Sequence, residues 1–231
     1  MAKKKKEKID KDVTKIEHRA FDKADIAEIS EQWMEIYSTN VNIARITPNF
    51  IDGLKPGGRR MLFAMHNNPN QGQKFRKVQI AASETITYHP HGDTSVSDVI
   101  YKFGQPWRNN ICWIQKQGNF GNIRGLQPAH PRYPECKLTP AAQYIFFSDL
   151  KYSNVPMRLA YDGEHLEPDY LPAKIPAVLC NPSFSGIGIG VATNIPPFNV
   201  SEVIAATIKL IKNPKADILL VPDSPTGCDI V

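Results

Sequence analysis

The sequence predicts an α+β chain whose first part is mainly helical and whose second part is built from strands, loops and prolines. Three observations carry this. Apolar residues recur at helical spacing as Ile29, Trp33, Ile36 and Tyr37, then Met61, Leu62 and Met65, then Val96, Val99, Ile100 and Phe103. Ile111–Ile114 is a short apolar run followed by a glycine-rich turn, which reads as a strand. Beyond Val155 the texture changes to strand and proline, with Pro156, Pro168, Pro172, Pro176, Pro182, Pro196 and Pro197 close together. The 231 residues suffice for a substantial core and one or two domains, with a boundary expected near 153–158.

In chain order, residues 1–28 open with Lys3-Lys4-Lys5-Lys6 and continue with alternating charge, a flexible basic arm that is solvated or touches phosphate or a partner subunit. A helix over Ile29–Tyr37 is expected to pack in the domain. Asp52-Gly53 and Pro56-Gly57-Gly58 signal turns, after which Arg59-Arg60 open a short helix. Arg45, Lys55, Arg59 and Arg60 then form a cationic cluster with Asp52 as its one nearby acid.

Residues 74–104 read as helix–turn–helix. Val78–Thr85 is the first helix, Tyr88–Gly92 the turn, and Asp93 the N-cap of the second helix, which Pro106 stops. That second helix presents Thr94, Ser95, Asp98 and Lys102 opposite its apolar face. A polar face is usually only solvated, but with basic flanks it suits DNA. Gln117–Asn122 is expected to be a turn. Leu138–Leu150 reads as a helix with Ala141, Ala142, Ile145, Phe146 and Leu150 inward, and Asp162-Gly163 as a turn. Gly186-Ile187-Gly188-Ile189-Gly190 lacks the spacing of a dinucleotide fingerprint and reads as a strand whose glycines permit close approach. Asn199 or Ser201 caps a last helix that buries Val203, Ile204, Ile208 and Ile211 and ends near Pro214.

Composition narrows the class. A net charge of +5 and a pI near 8.9 fit a polyanionic partner without requiring one. No apolar run approaches the ~20 residues of a membrane span, and the charged N-terminus lacks the apolar segment of a secretory signal. Cys112, Cys136, Cys180 and Cys228 are scattered with no Cys-x-x-Cys pair, which favours a reducing, cytoplasmic setting over a zinc or disulfide framework.

The densest chemistry lies between Tyr88 and Tyr133. A phenol with a pKa near 10 costs about 4 kcal/mol to ionise at neutral pH unless a base or cation assists it. Arg132 adjoins Tyr133 and has the fork geometry that grips a phosphate. His89 or His91 has the pKa range to take the proton. Pro134 biases Tyr133 towards an extended loop. Two other readings stand beside this one. An Arg-Tyr pair by itself is more often packing, and His89-x-His91 with Asp93 has the spacing of a metal site, although Pro90 and Gly92 suit a rigid turn equally well.

Read together, Gly53-Leu54-Lys55-Pro56 with Arg59-Arg60, Tyr88-His89-Pro90-His91-Gly92-Asp93, Gln117-Gly118-Asn119-Phe120-Gly121, Arg132-Tyr133 and Ala192-Thr193-Asn194-Ile195-Pro196-Pro197 resemble one family in order and approximate spacing. It is the DNA breakage-reunion (A) subunit of type IIA DNA topoisomerases, the family of gyrase and topoisomerase IV, over roughly Ser30–Val231. The resemblance implies a winged-helix DNA-binding domain over 29–155 and the first part of a mixed α/β tower domain over 156–231. It implies that Tyr133 attacks a phosphodiester and forms a 5′-phosphotyrosyl link, with Arg132, His89, His91 and Arg45 in the active site.

By the same resemblance Lys55, Arg59, Arg60, Thr94, Ser95 and Lys102 face DNA, and Ile187 wedges between base pairs. Thr94 and Asp98 would anchor a quinolone through a magnesium–water bridge. Gly58 departs from the bacterial pattern, which often has histidine there, and the loop Asn181–Ser185 is longer than usual. No carboxylate cluster lies near Tyr133 in the sequence, so no metal site is expected on this chain. Mg2+ and ATP are expected on a B-type partner subunit, with double-stranded DNA as substrate and a homodimer of this chain inside an A2B2 heterotetramer. With no long helical repeat after it, the chain is expected to be the front part of a longer protein. A non-catalytic DNA-binding module and a metal-dependent hydrolase centred on His89 and His91 are the competing functions.

Overall fold

The computed structural model describes residues 25–181 and 186–226. Most of the basic arm, most of the loop Asn181–Ser185, and Gly227 therefore lie outside the described residues. The chain divides into two compact units after Tyr37.

Helix α1 (Ile26–Arg45) is longer than the expected Ile29–Tyr37. Its apolar residues do not pack as anticipated: Trp33 is 72% exposed, and Ile36 and Tyr37 also face outward. Helical spacing defines an apolar face but not what covers it.

The core of residues 38–226 gathers around three helices, α2 (Pro56–Asn67), α3 (Val78–Ile86) and α4 (Asp93–Phe103). Lys55, extended, precedes α2, and Pro56 fills the first turn, where its missing N–H costs nothing. Leu54, Met61, Leu62, Val78 and Ile100 are fully buried between the helices, beside Trp113 and Phe146. Gly58 lies against the Phe103 ring, whose nearest atom is 3.0 Å from where a Cβ would stand. The departure from histidine thus accompanies close packing of α2 on α4. The second helix starts one residue differently from expectation: Gly92 is its N-cap and Asp93 is the first helical residue, accepting from the Thr94 N–H at 2.8 Å.

Strands β1 (Arg76–Lys77), β2 (Ile114–Gln117) and β3 (Glu135–Leu138) form an antiparallel sheet in the order β1-β3-β2. Ile114 pairs with Leu138 and Gln117 with Glu135, so β2 begins where the sequence placed its end. Ile111 is instead held by a side chain: its N–H donates to Asn181 Oδ1 and its carbonyl accepts from Asn181 Nδ2. Gly118, at φ +95°, closes the strand as the expected turn begins. The expected helix at Leu138–Leu150 is shorter. Leu138 ends β3, and Thr139 caps a single turn, α5 (Pro140–Ala142), which widens into a π-helical turn over Gln143–Phe147. Ala142, Ile145 and Phe146 do face inward.

Strands β4 (Met157–Leu159) and β5 (Leu166–Pro168) make a hairpin whose turn includes Asp162-Gly163, as read from the sequence, with Gly163 at φ +71°. Beyond it, the Leu171 N–H donates to buried Asp52. A small ladder, β6 (Gly186–Ile187) with β7 (Ala192–Thr193), precedes α6 (Val200–Lys212), which Asn199 caps by accepting from the Ser201 N–H. Of the four residues expected to be buried on α6, Val203 is (1% exposed), while Ile204, Ile208 and Ile211 are exposed. No helix among the described residues is long and apolar enough to cross a membrane.

Candidate functional site

The polar side chains singled out in the sequence collect at the two ends of α3. At its N-terminal end the first amides of the helix, which have no intrahelical acceptor, hold the tyrosine loop. Val78 N–H donates to Pro134 O and Gln79 N–H to Pro131 O, both at 3.1 Å. Lys77 Nζ donates to the Tyr133 carbonyl at 3.1 Å and pairs with Glu135 at 2.7 Å. The loop is fixed by its backbone and leaves the Tyr133 ring 61% exposed. The Arg132 guanidinium lies 4.8 Å from that ring's centroid, and the His130 ring meets it edge-on at 6.4 Å. The ring therefore lies against a cation, on a loop held at the helix end where the backbone dipole favours negative charge. Lys77 and His130 were not singled out from sequence; only their nearness to the strand junction and to Tyr133 hinted at them.

At the other end of α3, the Tyr88 and His89 amides donate to Thr85 O and turn the chain. A cavity of about 230 Å3 opens there, lined by Arg45, Lys55, Gly57, His89, His91 and Ser95 among others. The two imidazoles stack at 4.0 Å and 16°. Arg60 Nη1 donates to His89 Nδ1 at 3.0 Å. A guanidinium only donates, so Nδ1 must be the acceptor and the neutral ring carries its proton on Nε2. Burial, then the neighbouring His91 and Arg60, push the His89 pKa down to about 4, so the ring is neutral near pH 7. Burial and Arg45 also lower that of His91. Burial and Lys102 lower that of Lys55.

Nine residues of α3 separate these clusters by roughly 13 Å. No hydrogen bond or ring contact among the described residues joins Tyr133 or Arg132 to His89, His91 or Arg45. Within one copy, Tyr133 and the two histidines therefore stand apart.

Arg59 is 5% exposed, its Nε donates to Asp52 Oδ2 at 2.5 Å, and its Nη2 donates to Asp52 Oδ1 and Leu54 O. It forms an ion pair in the core, because the acid noted beside the cationic cluster turns inward with it. Arg60 is partly buried and forks onto Glu167. Thr94, Ser95, Asp98 and Lys102 are exposed on α4, and Ile187 is 90% exposed at the tip of β6. Thr94 and Asp98 line a second cavity of about 290 Å3 whose opposite wall includes Ala129, His130 and Pro131, next to Tyr133.

His89 Nδ1 is occupied by Arg60, Asp93 is turned to the Thr94 amide, and no three His, Cys, Asp or Glu side chains among the described residues gather as ligands.

Residues 45–231 match the family model for the A subunit of DNA gyrase/topoisomerase IV. Over 208 residues, 87% of the chain, it is 40% identical to the chloroplastic/mitochondrial DNA gyrase A subunit of Arabidopsis thaliana, covering 22% of that protein. It is 42% identical to the DNA gyrase A subunit of Chlamydia pneumoniae over 87% of the chain and 25% of the relative. With the gyrase A subunit of Thermotoga maritima the figures are 38%, 88% and 26%. The chain spans about a quarter of the length of these relatives.

Proposed function

The chain belongs to the family of DNA gyrase/topoisomerase IV A subunits, and from that premise we propose that it is the DNA-cleaving front part of a type IIA topoisomerase A subunit. Tyr133 Oη attacks a backbone phosphorus, the bond to the 3′ oxygen breaks, and a 5′-phosphotyrosyl ester and a 3′-hydroxyl result. The phenol proton leaves as the 3′ oxygen gains one, so the ester energy is kept and resealing is the reverse step. Arg132 holds the charge that grows on the phosphate. The observation that carries this reading is Tyr133 itself, an exposed phenol on a loop clamped to the start of α3 with Arg132 over its ring. Covalent trapping of DNA on denaturing the complete enzyme separates it from a non-catalytic DNA-binding module, which would trap none.

The separation of the two clusters supports a homodimer. A tyrosine of one copy meets the cavity of Arg45, Lys55, His89 and His91 of the other, one such site per DNA strand. His89 there serves as a neutral N–H donor, not as the base. Family membership supports assigning Mg2+ and ATP to a B-type partner in an A2B2 assembly, working on double-stranded DNA in the cytoplasm. Residues 29–155 form the winged-helix domain and 156–231 the start of the tower domain, with Ile187 presented as the wedge.

Two outcomes follow. Affinity for duplex DNA falls steeply with salt, since Arg45, Lys55 and Lys102 displace counterions; a binding constant that stays flat from low to physiological salt contradicts a phosphate-facing surface. In the complete enzyme Thr94→Ile lowers quinolone-stimulated cleavage, by removing a hydroxyl from the cavity shared with Asp98 and His130 and adding bulk. Unchanged stimulation in that variant removes Thr94 from the drug contact.

A further inference from the structure

We propose that Glu167 is a positioning residue for His89 and acts through Arg60, an inference that rests on the cleavage reading above. Glu167 lies on β5, and its side chain is 2% exposed. It does not line the cavity of Arg45, Lys55 and the two histidines, so it touches no substrate held there. Its carboxylate grips Arg60 from two sides, Oε2 accepting from Nε at 2.6 Å and Oε1 from Nη2 at 2.8 Å. Arg158 Nε completes the set on Oε1 at 2.9 Å. A bidentate fork fixes the plane of a guanidinium as well as its place. The group left over is Nη1, and it points at His89 Nδ1 at 3.0 Å.

The chain of contacts has one chemical result. With Nδ1 held as acceptor, the His89 proton resides on Nε2, the atom that lies 3.2 Å from the Cβ position of Gly57 on the cavity wall. A fixed N–H donor is thereby presented to a phosphate oxygen entering the cavity, with no proton to be moved first. Without the Glu167 fork, Arg60 loses the partners that aim it, and His89 divides between two tautomers and two ring orientations. As stability devices alone, buried ion pairs are weak. A carboxylate placed 107 residues from Arg60 is well explained by the orientation it imposes.

The test is a double-mutant cycle on adduct formation, with the complete cleavage protein bound to its metal-binding partner on duplex DNA. Glu167→Gln is expected to slow adduct formation roughly tenfold with DNA affinity unchanged, and to slow it no further in a His89→Ala background. Equal slowing in both backgrounds, or none in either, overturns the proposal, since a merely structural role would not depend on His89. Should the Gln variant not fold, Arg60→Lys breaks the fork while keeping the charge. It must likewise act in the native background only, and additive behaviour there overturns the proposal as well. A native enzyme that forms no Tyr133 adduct refutes the cleavage reading itself. Native adducts with an uncoupled Glu167 refute only the positioning.

Discussion

Tyr133→Phe is expected to abolish the covalent DNA adduct of the complete enzyme and to leave duplex affinity near native. The change deletes one oxygen from a ring that is already 61% exposed, so little packing is lost. The loop is held through backbone carbonyls of Pro131, Tyr133 and Pro134, none of which the substitution touches. Arg132 keeps an aromatic face to rest on. Other tyrosines serve as controls. Tyr88 is buried, with its hydroxyl accepting from Asn67 Nδ2. Tyr101 donates to Ala129 O, and burial pushes its pKa up to about 12, which makes it a poorer phenolate still. Tyr144, beneath Lys174, is 65% exposed, and with Tyr152 (83%) and Tyr161 (57%) it is among the rivals that matter. If denaturant still traps DNA on the Tyr133→Phe enzyme while Tyr144→Phe traps none, the nucleophile has been misassigned.

The largest effect on stability is expected at Asp52. Its carboxylate is fully buried and accepts from Arg59 and from the Leu54 and Leu171 amides. Asp52→Ala strands a guanidinium and two N–H groups in the core, a loss of about 3–5 kcal/mol. Denaturant unfolding followed by circular dichroism measures it. Replacing the pair together, as Asp52→Leu with Arg59→Met, should recover the share of that loss due to the stranded charge, while the Leu54 and Leu171 amides still lack an acceptor. A single substitution costing under about 1 kcal/mol would mean that Arg59 finds water, contrary to its burial.

The sequence made local features legible and distant ones not. The turn at Asp162-Gly163, the Asn199 cap, the histidine turn and the exposed loop of Tyr133 each depend on a few neighbouring residues, and each lies where its local chemistry placed it. Arg59 and Arg60 are adjacent and looked alike. One is drawn into the core by Asp52, which itself binds Leu171, 119 residues away, and the other is aimed by Glu167. No period or spacing encodes such partners. The apolar faces of α1 and α6 failed for a different reason, since helical spacing reveals a stripe and leaves its occupant unnamed. The distance between Tyr133 and the histidines depended on the length of α3 together with the return of the chain through β3, which places the tyrosine at the helix's beginning.

That helix is a strut. Val78, Ala81, Ala82 and Thr85 anchor it in the core, the tyrosine loop is bonded to one tip, and the histidine turn grows from the other. Neither tip can approach the other without unfolding the rod between them. In the dimer proposed above, the reach of each nucleophile is therefore a property of how two copies meet. When the copies part, the ester travels away with one of them and its Arg132, while Arg45 and Lys55 stay with the other. A severed strand is then shielded from premature resealing for as long as the gap is open, and the chemistry resumes only on closure.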